Sequence, residues 1–374
     1  MRGIRIVDFS IALTGPYAAA LLSDQGASVV KVERPGFGDI ARWIGVSVGG
    51  MSALFQTCNR GKRSIALDLN SEQGRDIARK LIDQADVVIQ NFRPGVMDKL
   101  GLGYDAVRGD RTDLIYVSLS GFGPTGPYAT KGAYDTVIQA YGGLGASQAD
   151  IETGEPRFLQ QVAADKITAM YAVQAITAAL FARERGDHGQ HVELSMLDSD
   201  SSMPSSFTGA FKPFRFADGW GICTPTSDAD FAGMCRALDV DGYDDPRVAG
   251  IVARRSNVAL VNEIMLRVRA AAATMTTAEV MARFETHNVP AGVVLSPAAL
   301  SSDAHVQAIG LLEDSVHPTA GRLRQPRHPA QFSGTPAALS GGAPTLGQHT
   351  DELLGELGCD ATAIAALRAS GAVS

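Results

Sequence analysis

Over the first 120 or so residues, short apolar runs bounded by turn residues alternate with amphipathic stretches. "IRIVDFS" predicts a strand. "GPYAAALLSDQGA" predicts a helix, with Pro16 in its first turn and Gly26 just past its end. "SVVKVE" predicts the second strand, and "KRSIALDLNSEQGRDIARKLIDQADVVIQNF" repeats strand, helix, strand. In that repeat Asn70 or Ser71 can cap the helix, and Ile77, Leu81 and Ile82 form its inward stripe. "DLIYVSLSGFG" is a further buried strand entering a glycine-rich loop. Strands alternating with helices imply an α/β fold with an open, mostly parallel Rossmann-like sheet and right-handed crossovers.

Beyond this, "YDTVIQAYGG" is short and helical or mixed. "ADKITAMYAVQAITAALFARERG" predicts a long, nearly all-apolar helix, expected to be buried on most faces. "GQHVELSMLDS" predicts another strand. "SSMPSSFTGAFKPFRF" then has no period and reads as a linker, before the helical patterns "NVALVNEIMLRVRAAAATM" and "TTAEVMARFETHNVP". Thr276 or Thr277 would start the second of these. The expected organisation is a large α/β domain over 1–200, a linker over 201–216, a smaller α+β domain over 217–325, and a return to the large domain over 326–374.

Length and composition change this picture little. The chain's 374 residues exceed what one compact core usually carries, in keeping with two domains. A net charge of −7 argues against a general nucleic-acid binder, yet leaves room for local basic clusters around one phosphorylated ligand. Cys58, Cys223, Cys235 and Cys359 are scattered without a CxxC pair, so neither zinc nor a disulfide framework is expected. With no signal-peptide pattern and no apolar run of membrane-span length, the expected location is the cytoplasm, with neither membrane nor nucleic acid as a partner.

Candidate chemistry begins where the second strand ends, at "VERPG". Glu33 would read a ribose hydroxyl, Arg34 a phosphate. A dinucleotide site needs G-x-G-x-x-G in the first strand–helix turn, and "SIALTGPYAAA" carries one glycine and a proline. The nicotinamide reading therefore falls, and Arg34 is the better placed of the two. Pro35 and Gly36 would equally justify a surface arginine in a turn. Arg60, Lys62 and Arg63 in "NRGKRS", and Arg93 and Lys99 in "NFRPGVMDKLGLGY", add basic residues near other strand ends, each taken singly reading as a solvated charge rather than a ligand contact. His188, His191 and His349 read as solvated or helix-start residues, and Tyr17 and Trp43 as packing, with Trp43 also near enough to line the site.

The strings "GPYAAALLSDQGASVVKVERPGFGD", "NRGKRSIALDL", "VVIQNFRPGVMDKLGLGY", "SGFGPTGPY", "YDTVIQAYGG", "ADKITAMYAVQAITAALFARERGDHGQHVELSMLD" and "PTLGQHTDELLGELG" follow in order over nearly the whole chain. Together they resemble the family III CoA-transferases (CaiB/BaiF type), the group of formyl-CoA transferase, carnitine CoA-transferase and α-methylacyl-CoA racemase. The resemblance implies acyl-CoA as the phosphorylated substrate, small carboxylic acids as its counterpart, and no metal. It makes Arg34 a candidate for CoA phosphate. Leu13 and Thr14 would line the nucleotide, and Leu67, Asp68, Leu69 and Asn70 would border the adenine. Asn91, Phe92 and Arg93 would lie along the pantetheine or diphosphate with Lys99 and Leu100 beyond, and Lys131 to Tyr134 would approach the thioester. A glutamine of formyl-CoA transferase falls at Leu13. The resemblance further implies an interlocked homodimer.

By pattern, Asp165 is the N-cap of the long helix, worth about 1 kcal/mol. The resemblance places the family's catalytic aspartate there, with a helix-terminal carboxylate held ionised and able to attack an activated acyl group. The implied reaction moves CoA from a donor thioester to an acceptor acid through aspartyl-CoA. Two alternatives stand beside it. An acyl-CoA racemase needs two acid/base groups, and such relatives carry histidine where Tyr134 stands, a poor base near neutrality. A non-catalytic CoA-thioester-binding protein would keep Asp165 as a cap. No glycine run resembling the family's covering loop occurs between 200 and 330.

Overall fold

The computed structural model describes residues 1–150, 153–201, 212–339 and 341–374. The chain divides into two compact units, Met1–Phe207 with Gly310–Ser374, and Thr208–Ile309.

The larger unit is built on a sheet of six strands: β1 (Arg5–Asp8), β2 (Ser28–Glu33), β3 (Arg63–Ala66), β4 (Val87–Gln90), β5 (Ile115–Ser120) and β6 (His191–Ser195). Their order is β3-β2-β1-β4-β5-β6, and every pairing is parallel. Successive residues of the apolar runs go to opposite faces. Val7, Val30, Val32, Ile65 and Val88 pack with helix α2 (Glu72–Asp83) and the C-terminal Leu353 and Leu354. Ile6, Val29, Val87, Ile89, Ile115 and Val117 pack under helices α1 (Thr14–Asp24) and α4 (Ala163–Glu184). A short helix α3 (Asp135–Tyr141) precedes α4. Ser71 caps α2 by accepting from the Gly74 N–H, and Ile77, Leu81 and Ile82 are buried.

The expectation that α4 is covered on most faces is corrected. It buries one stripe, Ala164, Thr168, Ala169, Ala172, Ile176, Ala179 and Leu180, because it lies on one sheet face. Met170 and Phe181 remain 57% and 68% exposed.

The smaller unit has a three-stranded sheet, Phe214–Arg215, Trp220–Cys223 and Ala291–Val293, packed with helices Asp228–Ala237, Val258–Ala273 and Thr277–Thr286. Thr276 starts the last of these in a capping box with Glu279. The expected linker falls largely outside the described residues, and its end, Phe214–Arg215, is a strand of this unit. The hairpin Leu312–His317 and Gly321–Pro326, sequence-assigned to the smaller domain, groups with the larger unit. Among the described residues, no helix is long and apolar enough to cross a membrane.

Candidate active site

Strand order reverses between β1 and β4, and the chain leaves the two strands in opposite directions across the sheet. Open parallel sheets bind ligands in the crevice beyond such a switch point. Here the crevice is a cavity of about 330 Å³. Ile11 to Thr14 after β1, Asn91 to Pro94 after β4, and Leu119 to Gly121 at the end of β5 supply most of its walls. Lys131 to Tyr134 and Asp165, with Val96, Ala129 and Met196, complete it, all within the larger unit.

The turn after β1 is held by side chains on three sides. Asp8 accepts from the Ser10 N–H at 2.9 Å, and Asp39 from the Ala12 N–H at 2.8 Å. Asn91 Oδ1 accepts from the Ile11 N–H, and its Nδ2 donates to the Ile11 carbonyl, both at 2.8 Å. These bonds hold Ala12 at φ 66°, a left-handed conformation unusual for a residue with a β-carbon. The single glycine of this turn serves packing: a Cβ on Gly15 would lie 2.3 Å from Ser10 Oγ.

Behind the turn lie buried charges. Lys62 donates to Asp8 Oδ2 at 2.7 Å, to the Pro16 carbonyl and to Asn59, fully buried. Lys31 pairs with Asp39 at 2.9 Å and donates to the Ser10 carbonyl. Arg60 is buried against Asp24 at 2.6 Å. Arg60 and Lys62 of "NRGKRS" are thus neither solvated nor ligand-facing. Glu33 is consumed by Arg42, at 2.7 Å to each oxygen, and by Ser64.

Asp165 is not the N-cap of α4. Val162 occupies that position at φ 47°, without a side-chain cap, and Asp165 sits in the first turn. Its backbone N–H is satisfied at 3.2 Å by Asp135 Oδ1, from the first residue of α3. Asp135 is itself fixed by Gln139, whose amide also bonds both backbone groups of Leu159. This frees the Asp165 carboxylate from capping. Its Oδ1 accepts from the Thr14 hydroxyl, and the residue lines the cavity. Burial pushes its carboxyl up to about 6; the Thr14 bond works against this and the nearby Asp135 charge adds to it. With its carboxyl raised rather than lowered, the group is ionised at neutral pH only at the edge of that range.

Two cations line the same cavity, Arg93 and Lys131. Neither forms an ion pair among the described residues. The Arg93 guanidinium comes close to the Gly132 backbone, where a Cβ would be 2.8 Å from Nη2. The Lys131 ammonium lies 4.7, 5.0 and 5.7 Å from the ring centres of Tyr128, Tyr141 and Phe122, which also contact one another. Three aromatic rings fix the cation without neutralising it.

Of the site residues expected from sequence, Leu13, Thr14, Asn91, Phe92, Arg93, Lys131, Tyr134 and Asp165 meet at this cavity. Arg34 is exposed at the end of β2, outside the cavity wall. Leu67 is 1% exposed within the core, and Leu69 and Leu100 pack against it. Asp68 accepts from the backbone and side chain of Asn70, and Lys99 is exposed. These too stand outside the cavity. His191, read as solvated, stacks on Tyr104 with ring centres 4.9 Å apart and bonds Ser118 Oγ at 2.8 Å. His349 accepts from the Ser64 N–H at 3.1 Å and so ties the C-terminal segment to β3. Trp43 is 65% exposed, stacked on Phe37. Among the described residues no cluster of His, Cys, Asp and Glu is arranged to hold a metal.

Sequence reasoning missed Asp8, Lys31, Asp39 and Asp135 as supports of the site. A signal was present for two of them: a lysine and an aspartate interrupting otherwise apolar strands require buried partners.

The family model described as CoA-transferase family III matches residues 1–350. The chain belongs to CoA-transferase family III. It is 33% identical to a succinate–glutarate CoA-transferase of Agrobacterium fabrum, over 96% of this chain and 95% of that one. It is 31% identical to a formyl-CoA:oxalate CoA-transferase of Afipia carboxidovorans, over 100% and 97%. The fold matches a crystal structure of a CAIB/BAIF family protein from Brucella suis with TM-score 0.82 and 31% identity, over 95% of this chain and 98% of that one. A hypothetical protein from Mycobacterium tuberculosis matches with TM-score 0.83 and 29% identity, over 94% and 98%. This family III member is accordingly an enzyme with CoA-transferase activity, acting on CoA thioesters.

Proposed function

We propose that this transferase moves CoA from a donor acyl-CoA to a small carboxylic acid through a covalent thioester on Asp165. The observation that carries this reading is the position of Asp165: its carboxylate faces a ligand-sized crevice at the switch point, relieved of the capping duty its sequence position suggests. Burial leaves it poorly solvated, and with its carboxyl raised only to about 6 it is still mostly ionised at neutral pH, which favours nucleophilic attack. Asp165 attacks the donor thioester carbon and expels CoA thiolate, leaving a mixed anhydride. The thiolate then attacks the aspartyl carbonyl and releases the donor acid. The acceptor carboxylate reverses the sequence. Thioester energy is conserved throughout, so the reaction needs no external energy source.

Arg93 and Lys131, neither in an ion pair among the described residues, provide positive charge for the substrate's phosphates or carboxylate. Arg34, Leu67 to Asn70, Lys99 and Leu100 would then contact the outer part of CoA, beyond the cavity. The exposed apolar residues of α4, Met170 and Phe181, support a second copy of the chain as the natural partner of that face. Racemisation finds less support, because Asp135, the carboxylate that bonds the Asp165 N–H, has both oxygens committed to hydrogen bonds.

The test is intact mass spectrometry after mixing with a panel of acyl-CoAs, alongside Asp165→Ala. A hydroxylamine-labile CoA adduct that the variant never forms is the expected result. α-Proton exchange in deuterated water without an adduct would replace this reading with racemisation.

A further inference from the structure

Thr14 is the first residue of α1, 3% exposed, and its hydroxyl donates to Oδ1 of Asp165. Both residues line the cavity, and among the described residues no hydrogen bond reaches the other carboxylate oxygen, Oδ2. The bond is not needed to dock the two helices. Ala18 and Ala19 of α1 and Ala169 and Ala172 of α4 already bury that contact. A hydroxyl aimed at one oxygen of the nucleophile makes the two oxygens chemically different.

We propose that Thr14 is a catalytic residue of the transfer, an oxyanion donor for the steps in which Asp165 Cγ is the carbon under attack. This rests on the covalent reading above. Oδ2, the unbonded oxygen, attacks the donor thioester carbon; the C–S bond breaks and CoA leaves as thiolate. In the resulting anhydride Oδ2 is the bridging oxygen and Oδ1 the aspartyl carbonyl oxygen. The thiolate then attacks Cγ, and the carbonyl electron pair moves onto Oδ1. Thr14 already donates to that oxygen, so the negative charge develops against a positioned donor. Collapse breaks the Cγ–Oδ2 bond, and the donor carboxylate departs carrying Oδ2. When the acceptor carboxylate attacks the aspartyl-CoA thioester, Cγ is again the tetrahedral centre and Oδ1 again carries the charge. The acceptor's oxygen becomes the new bridging oxygen and CoA thiolate leaves. Thr14 thus serves the two inner steps, not the two at substrate carbonyl carbons.

The experiment compares wild type, Thr14→Val, Thr14→Ser and Asp165→Ala, using acyl-CoA labelled separately in the acyl group and in CoA. Valine keeps the shape and β-branching of threonine and removes only the donor. The expected result is a fall in kcat of about 100-fold for the valine variant, the usual effect of losing one oxyanion donor. KM for acyl-CoA stays within about twofold, the serine variant recovers most of kcat, and the ratio of protein-bound acyl label to protein-bound CoA label rises. A valine variant with unchanged kcat, or a serine variant as slow as valine with a lowered melting temperature, would reduce Thr14 to a structural tie. If wild type carries no more label than Asp165→Ala, the covalent reading itself is what fails, and the role of Thr14 falls with it.

Discussion

Asn91 brackets Ile11. Its side-chain oxygen accepts from the Ile11 N–H and its nitrogen donates to the Ile11 carbonyl, each at 2.8 Å. Residues 80 apart in sequence are thereby locked across the switch point of the sheet, between the strands whose order reverses there. Asn91, expected along the pantetheine, lines the cavity, and its polar atoms also shape the turn that presents Leu13 and Thr14.

Replacing Asn91 with alanine removes both bonds and leaves Ala12 in its left-handed conformation with fewer restraints. The expected loss of stability is about 1–2 kcal/mol, limited by partial solvent access. The loss in kcat/KM should exceed what that destabilisation explains, because Thr14 and Asp165 lose their register. Urea unfolding and steady-state kinetics on the same preparation separate the two effects.

The acid limb of activity should follow Asp165. Its carboxyl is pushed up to about 6, so kcat/KM is expected to fall progressively below that pH as the proposed nucleophile is protonated. The stability consequence has the opposite sense. A carboxyl raised in the folded state favours folding most at low pH, and that contribution is lost as pH rises from 3.8 through about 6. Asp165→Asn, which on the proposed mechanism loses transfer, should therefore be more stable than wild type above pH 6, by on the order of 2 kcal/mol. Thermal melts of both proteins at pH 4 and pH 8 check this: the gap should be small at the lower pH and fully open at the higher.

The rings around Lys131 should govern substrate affinity rather than the chemical step. Tyr128→Leu or Tyr141→Leu weakens the hold on the ammonium, and an exposed cation–π contact is worth about 0.5–1 kcal/mol. The expected outcome is a rise of about two- to fivefold in KM for acyl-CoA with kcat retained. Tyr128→Phe, which keeps the π face, should stay near wild type. A fall in kcat with KM unchanged would count against this role.

Lys62→Met should be among the most damaging substitutions away from the cavity wall. It leaves Asp8 without its partner, and breaking a buried pair from one side typically costs about 3–5 kcal/mol. Lys31 remains near Asp8 and offsets part of that loss. Combining the change with Asp8→Leu should recover much of it, as circular dichroism melts of the single and double variants would reveal.

Much of the fold was legible because its signals are local. Apolar runs in "IRIVDFS", "SVVKVE" and "ADVVIQ" bury on both faces, and Ser71 and Gly26 punctuate their helices where the pattern places them. CoA transfer was legible through ordered strings that extend over nearly the whole chain, and the family match bears out that much of the functional reading. What misled was also local. Asp165 resembles a cap because aspartate before an apolar helix usually is one, and Arg60 and Lys62 resemble surface charges because most basic residues are.

The sequence by itself therefore determined the alternation of strands and helices, the absence of a dinucleotide glycine fingerprint, and the family. Tertiary structure alone decided which oxygen of Asp165 is held, which lysine is buried and which lies between three rings, and that Asn91 serves Ile11. The physical reason is range. Propensity, capping and periodicity act over a few residues and can be read along the chain. A hydroxyl meeting a carboxylate 151 positions away, or Lys62 meeting Asp8 across 54, depends on strand order, and no local pattern encodes which partners that order brings together.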